Sequence, residues 1–188
     1  MRKSVVGATI ALVSCLISMG LFSVNATANP RPFVIVDGKG DWFGAPGEPY
    51  TDIRLAQVIQ KNSTHVKVVM MVDERIPLDP PTFMGFVWSF DMDKNGWWST
   101  GPDLNVRVAY DIDFGWQAYL DRFDGNPGNI YTSLIVSKKR ATVVLPLADL
   151  GTPSSFYWMA TTVSANQELG EDQAPKYEPG FASWFSHP

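Results

Sequence analysis

Apolar and polar residues alternate along this chain in short runs with a period of two. Residues 64–73 place Val66, Val68, Met70 and Val72 on one face, with Val69 and Met71 on the other. Residues 84–91 alternate Phe86, Trp88 and Phe90 with Val87 and Ser89, and 104–112 set Leu104, Val106, Val108, Tyr110 and Ile112 on one face. Gly115 begins a return strand through Trp116, Ala118 and Leu120, and further runs lie at 33–36, 51–60, 130–137, 141–146 and 156–164. Runs this short, bounded by Gly, Pro, Asp and Asn, predict antiparallel strands whose successive side chains point to opposite sheet faces. Only Leu147-Ala148-Asp149-Leu150 reads as a helical turn, closed by Gly151 and Pro153. The expected fold is all-β: a jelly-roll-like antiparallel β-sandwich in one domain without internal repeats. Three prolines from Pro175 onward predict irregular coil along the surface.

The first segment has a different pattern. Arg2 and Lys3 precede an uncharged apolar run over 5–24, followed by the small-x-small site Ala26-Thr27-Ala28. That layout predicts a secretory signal peptide over 1–28, cleaved after Ala28, with 29–188 as the folded domain. A retained anchor is the competing reading, because the run is about long enough to span a bilayer. Leu12-Val13-Ser14-Cys15 resembles a lipobox, yet apolar residues continue past Cys15, where a lipobox gives way to polar sequence. Cys15 is the single cysteine, so disulfides, thiol nucleophiles and thiolate metal sites are excluded from 29–188. The expectation is a secreted or periplasmic protein with no membrane span in the mature chain.

At 45% hydrophobic and 18% charged residues, the composition excludes disorder and fibrous architecture. Without Arg2 and Lys3, 13 basic residues face 19 acidic ones. Lys138-Lys139-Arg140 reads as a hairpin turn, and no basic patch is dense enough for a nucleic-acid partner. Clustered Asp in an acidic exported chain points instead to calcium.

The sharpest local motif is Asp91-Met92-Asp93-Lys94-Asn95-Gly96. Oxygen ligands at alternate positions followed by Gly let three side chains converge on one hard cation. A helix-loop-helix calcium site would place Glu at the twelfth position, which here is Pro102; Asp103 follows and could close the site. The element before the motif reads as a strand, so this is not a helical hand. An acidic hairpin turn has the same composition, and both readings stand at this point. A second acidic set is dispersed: Asp37-Gly38, Asp41-Trp42, Asp52-Ile53 and Glu171-Asp172.

Trp97 and Trp98 follow the acidic loop, and Trp116 and Tyr119 lie on a neighbouring predicted strand. An exposed aromatic face can stack on the apolar face of a sugar ring, whereas the same residues can simply fill core, as expected for mid-strand Trp88 and Trp158. Enzyme signatures are thin. His65 and His187 are the two histidines, and no nucleophile triad, zinc helix or phosphate loop is present in the sequence. The carboxylate pairs Asp111/Asp113 and Glu171/Asp172 read as a solvated acidic edge rather than as tuned acid and base.

Asp37-Gly38-x-x-Asp41-Trp42, Asp52-Ile53, Phe90-Asp91-Met92-Asp93 with Asn95, Thr100-Gly101, Val144-Leu145-Pro146-Leu147-x-x-Leu150-Gly151 and Asp172-Gln173-Ala174-Pro175 occur in the order seen in family 9 carbohydrate-binding modules. The chain resembles that family, which is related to DOMON domains. The resemblance implies a calcium-containing antiparallel β-sandwich that binds poly- or oligosaccharide without cleaving it. It implies that Asp37, Asp41, Asp91, Asp93 and Asp172 lie nearest the metal sites; the loop motif itself adds Asn95 and Asp103. Family modules hold a sugar between two tryptophans, for which Trp97, Trp98, Trp116 and Tyr119 are the candidates here. Those modules are usually attached to a glycosidase or a surface-layer protein. The DOMON relatives imply a different class, haem or another redox ligand, with Met70, Met71, Met84 and His65 as raw material, although Met on an apolar strand is ordinarily core. A structural envelope or matrix domain without a small ligand is the third class.

Overall fold

The computed structural model describes residues 33–42, 48–94, 102–123, 128–151, 155–164, 172–175 and 180–183. Residues 1–28, the expected signal peptide with Cys15, and Asn95, Trp97, Trp98 and His187 lie outside the described residues. Eleven strands run in order: β1 (Phe33–Val36), β2 (Ile53–Gln60), β3 (His65–Val72), β4 (Met84–Asp91), β5 (Leu104–Asp111), β6 (Gly115–Asp121), β7 (Ile135–Ser137), β8 (Arg140–Pro146), β9 (Ser155–Ser164), β10 (Gln173–Ala174) and β11 (Gly180–Ser183). A 3₁₀ turn over Leu147–Leu150 follows β8 and ends at Gly151, whose φ of 78° suits a residue without Cβ.

The strands form two antiparallel sheets, the β-sandwich that the period-two runs predict. One has the order β1-β2-β3-β8-β7; the other has the order β10-β9-β4-β5-β6, with β11 also pairing β9. Hairpins join β2 to β3, β4 to β5 to β6, and β7 to β8, while the chain changes sheets between β3 and β4, β6 and β7, and β8 and β9. The core lies between the sheets. Val66, Val68, Met70 and Val72 of β3 face Phe86, Trp88 and Phe90 of β4 across it, with Val106, Val108, Phe156 and Trp158 in the same cluster. Trp88 and Trp158 are buried, as expected of mid-strand tryptophans, and the Trp88 indole donates to the Val69 carbonyl at 3.3 Å. Among the described residues no helix is long and apolar enough to cross a membrane.

Three boundaries differ from the sequence expectation. Only 135–137 of the 130–137 run is strand; Ile130 makes an isolated bridge to Tyr119. Ile112 does not continue the inner row of β5, because the chain turns at 112–114 and leaves it 82% exposed. Gly180–Ser183 is not coil but an edge strand, in register with Trp158 to Ser155 of β9.

Candidate functional site

Among the described residues two acidic groups converge, each drawn from one of the sets singled out in the sequence, without Asp52 and without Asn95 and Glu171, which lie outside the described residues. In the first, Asp37, Asp41 and Asp172 each bring a carboxylate oxygen within 4.8 Å of the others. Asp37 follows β1, the turn through Gly38 and Gly40 carries Asp41, and Asp172 immediately precedes β10. The turn needs its glycines: Gly40 has φ of 69°, and a Cβ on Gly38 would lie 3.0 Å from Asp41 Oδ2. The group therefore sits where the start of β2 meets the start of β10, at the junction of the two sheets. Asp172 fastens that junction, its Oδ2 accepting from Ile53 N at 2.5 Å and its Oδ1 from Gln173 N at 2.9 Å.

Crowding of carboxylates dominates the electrostatics here. Burial first, and then the charges of Asp172 and Asp41, push Asp37 from the ordinary carboxylate value to about 7. Burial pushes Asp172 up to about 6 against the stabilising Ile53 and Gln173 N–H groups, and the Asp41 and Asp52 charges add to it. Asp52 is also raised, chiefly by burial, and its Oδ2 accepts from Gly40 N at 3.0 Å. Asp37 Oδ2 and Asp52 Oδ1 are buried, with no hydrogen-bond partner among the described residues. The neighbouring cations turn elsewhere: Lys39 pairs with Asp73 at 2.7 Å, and Arg54 approaches the same carboxylate at 4.0 Å.

The second group joins Asp91, Asp93 and Asp103, again with oxygens within 4.8 Å. Asp91 ends β4 and is completely buried; Asp93 is exposed, and Asp103 immediately precedes β5. Asp103 closes the loop, as its position after Pro102 allows. Its Oδ2 accepts from Met92 N at 2.6 Å and Asp93 N at 3.1 Å, and its own N–H donates to Phe90 O at 2.8 Å. With one oxygen from each carboxylate this close together, either group could hold a metal ion.

The described aromatic candidates take opposite faces of β6. Trp116 turns inward with Ala118 and Leu120, its ring stacked on Phe86 at 5.7 Å and edge-on to Tyr110 at 5.6 Å. It is a half-buried edge of the core, so one ring face is covered. Tyr119 lies on the outer face of the sheet, opposite Arg107 of β5. The residues of the redox alternative do not gather. Met70 and Met84 are core, while His65 and Met71 stand at opposite ends of β3, roughly 20 Å apart at strand rise. Asp111 caps its own turn by accepting from Asp113 N and Phe114 N, as a solvated acidic edge would; Asp172 does not fit that expectation, because it is buried between the sheets, and Glu171 lies outside the described residues.

Sequence reading missed Thr162. Its buried hydroxyl donates to Thr51 O at 2.9 Å and accepts from Asp172 N at 3.0 Å, which sets the position of Asp172. The available signal was a lone hydroxyl in the inner row of β9, after Phe156, Trp158 and Ala160. No family model, curated protein or solved structure matches this chain.

Proposed function

We propose that this chain is an exported, calcium-stabilised, non-catalytic carbohydrate-binding domain similar to family 9 modules. The observation that carries the reading is the convergence of the two Asp sets. Asp37, Asp41 and Asp172 are brought together from the two ends of the domain, and Asp91, Asp93 and Asp103 across one loop. Carboxylates so close together, one of them raised to about 7, repel one another until a cation or protons offset their charge. A divalent cation with oxygen preference does so at neutral pH, and the spacing suits calcium. The sandwich supplies a rigid frame, and the metal would fix the loop between β4 and β5 that carries the sequence's paired tryptophans. Sugar is the ligand class because the resemblance to family 9 modules implies it.

The test is a melting experiment together with a glycan array, each run with calcium and with chelator on protein first stripped of metal. Calcium should raise the melting temperature by several degrees, since binding to the folded state alone adds about 2.7 kcal/mol at a hundredfold excess over Kd. Array binding should fall in chelator, and no reducing sugar should be released. Superimposable melting curves would reject the calcium part. Release of reducing sugar by pure protein would reject the non-catalytic part.

A further inference from the structure

The outer face of the β1-β2-β3-β8-β7 sheet breaks the usual alternation of apolar-in and polar-out. Strand register sets its outward residues in rows. Val36–Leu55–Met71–Arg140–Ser137 is one, Val34–Gln57–Val69–Thr142–Ile135 the next, and Ile59–Lys67–Val144 the third. Eight of these thirteen side chains are apolar, so the face is not an ordinary solvated one. Val36 is 76% exposed, Ile135 58%, Val34 43% and Met71 39%. Leu55, Ile59 and Val144 are half-buried, and of the eight only Val69, at the centre, is buried. Apolar surface is thus left to solvent on all five strands.

The charge of this face is equally uneven. The chain carries 19 acidic residues against 15 basic ones, yet no Asp or Glu stands in the three rows, whereas Lys67 and Arg140 do. The turn between β7 and β8 adds Lys138 and Lys139 at the end of the first row. Among the described residues Lys67, Lys138 and Arg140 form no ion pair. The acidic residues that directly follow β1 and β3 are engaged elsewhere. Asp37 gathers with Asp41 and Asp172, and Asp73 pairs with Lys39 and Arg54. An acidic protein therefore presents one apolar sheet face with a positive balance.

We infer that this face docks peripherally on an anionic lipid surface. Exposed apolar area of this extent marks a protein or membrane contact, and charge selects between them. A second copy of the chain would set Lys67 and Arg140 against a face with no carboxylate to meet them. A hydrophilic polyanion would leave Val36 and Ile135 without apolar contact. An anionic bilayer supplies both halves: headgroup phosphates for the lysines and Arg140, and the acyl boundary for Val34, Val36, Met71 and Ile135. Position agrees with this. β1 is one edge of the face, and residues 25–32 join it to the apolar run over 5–24. Those eight residues span at most about 28 Å, so while the run is held in a membrane this edge stays within that reach of it. The inference goes beyond the sugar reading and does not rest on it; the described aromatic candidates Trp116 and Tyr119 lie on β6 of the other sheet.

The test is co-sedimentation of the exported protein with two kinds of vesicle, phosphatidylcholine alone and phosphatidylcholine with about one-third phosphatidylglycerol. The wild type should bind the anionic vesicles at low salt at least about tenfold more strongly than the neutral ones, and high salt should release it. Lys67→Gln combined with Arg140→Gln should weaken binding roughly twenty- to thirtyfold, from about fivefold for each charge near the surface. Val36→Ser combined with Ile135→Ser, both at exposed positions, should weaken it by roughly fivefold or more. Arg122→Gln, just after β6 in the other sheet, should change nothing. All these variants keep both acidic groups, so calcium bridging to lipid would not distinguish them. Amide hydrogen exchange of the unmodified protein should slow on vesicle binding in β1 and β7, the edge strands of this sheet, which keeps the test independent of any variant's folding. Binding that is equal on the two vesicle types, that survives both double variants, or that protects only the other sheet would overturn the inference. A wild type that ignores both vesicle types would overturn it and leave the face to an acidic protein partner. A dimer in sedimentation velocity that Val36→Ser with Ile135→Ser dissociates would overturn it in favour of a second copy.

Discussion

Replacing Asp172 separates the carboxylate's structural work from its proposed metal work. Asp172 is buried and accepts from Ile53 N in one sheet and Gln173 N in the other. In Asp172→Ala both N–H groups lose their acceptor, at roughly 1–3 kcal/mol each. Relief of the burial cost, and of repulsion with Asp41, returns part of this, since burial first and then neighbouring charges already push the carboxyl up to about 6. A net loss of about 3 kcal/mol remains, equivalent to roughly 6–12 °C in Tm for a domain of this size. Asp172→Asn keeps one oxygen acceptor and removes the charge. One broken hydrogen bond, about 1 kcal/mol, is then offset by the lost repulsion. Thermal melts at pH 7.4 with chelator should therefore rank wild type and Asp172→Asn together, within a few degrees, and well above Asp172→Ala. Calcium should then separate the first two. The wild type should rise by several degrees, whereas Asp172→Asn should retain only the part due to Asp91, Asp93 and Asp103. An undiminished calcium shift in Asp172→Asn would refute the metal role. An Asp172→Ala variant that melts with the wild type in chelator would refute the structural one.

Two further outcomes follow from the same geometry. The folded-state values of Asp37 and Asp172 are raised from 3.8 to about 7 and about 6, so these groups contribute most stability when protonated; metal-free protein should lose Tm as pH rises from about 4 to 7. Asp73, held low by Lys39, opposes this only below its unfolded value, and saturating calcium should flatten the profile; a chelated protein with flat or rising Tm over that window would sink the idea. Trp116→Ala should destabilise by roughly 2–4 kcal/mol through loss of the Phe86 and Tyr110 contacts, measured by urea unfolding; a variant as stable as wild type but unable to bind sugar would instead return Trp116 to the ligand site.

Strand alternation was legible because it is local, and what depended on pairing was not. The inner rows of β3 and β4, and that of β5 up to Tyr110, could be read residue by residue, as could the core roles of Trp88 and Trp158. The same alternation already placed Trp116 inward with Ala118 and Leu120; its candidacy as a sugar platform came from the resemblance to modules that hold a sugar between two tryptophans, not from the period-two pattern. The short edge strand Gly180–Ser183 follows a proline-rich stretch and has too few residues for periodicity to show. Asp91, Asp93 and Asp103 formed a group visible in one motif because a single loop carries them. Asp37, Asp41 and Asp172 were linked only by the order of the resembling motifs, and their meeting depends on β2 and β10 lying side by side. That difference has an energetic counterpart. The contact from Ile53 to Asp172 closes 119 residues, whereas Met92 to Asp103 closes 11. Loop-closure entropy scaling with 1.5RT ln n makes the longer closure about 2 kcal/mol harder. Under the proposed function, a cation at the first group would act against global separation of the sheets, and one at the second against local opening of the loop between β4 and β5. Under that proposal the same ligand chemistry would serve two purposes, holding the frame in one case and the β4–β5 loop in the other.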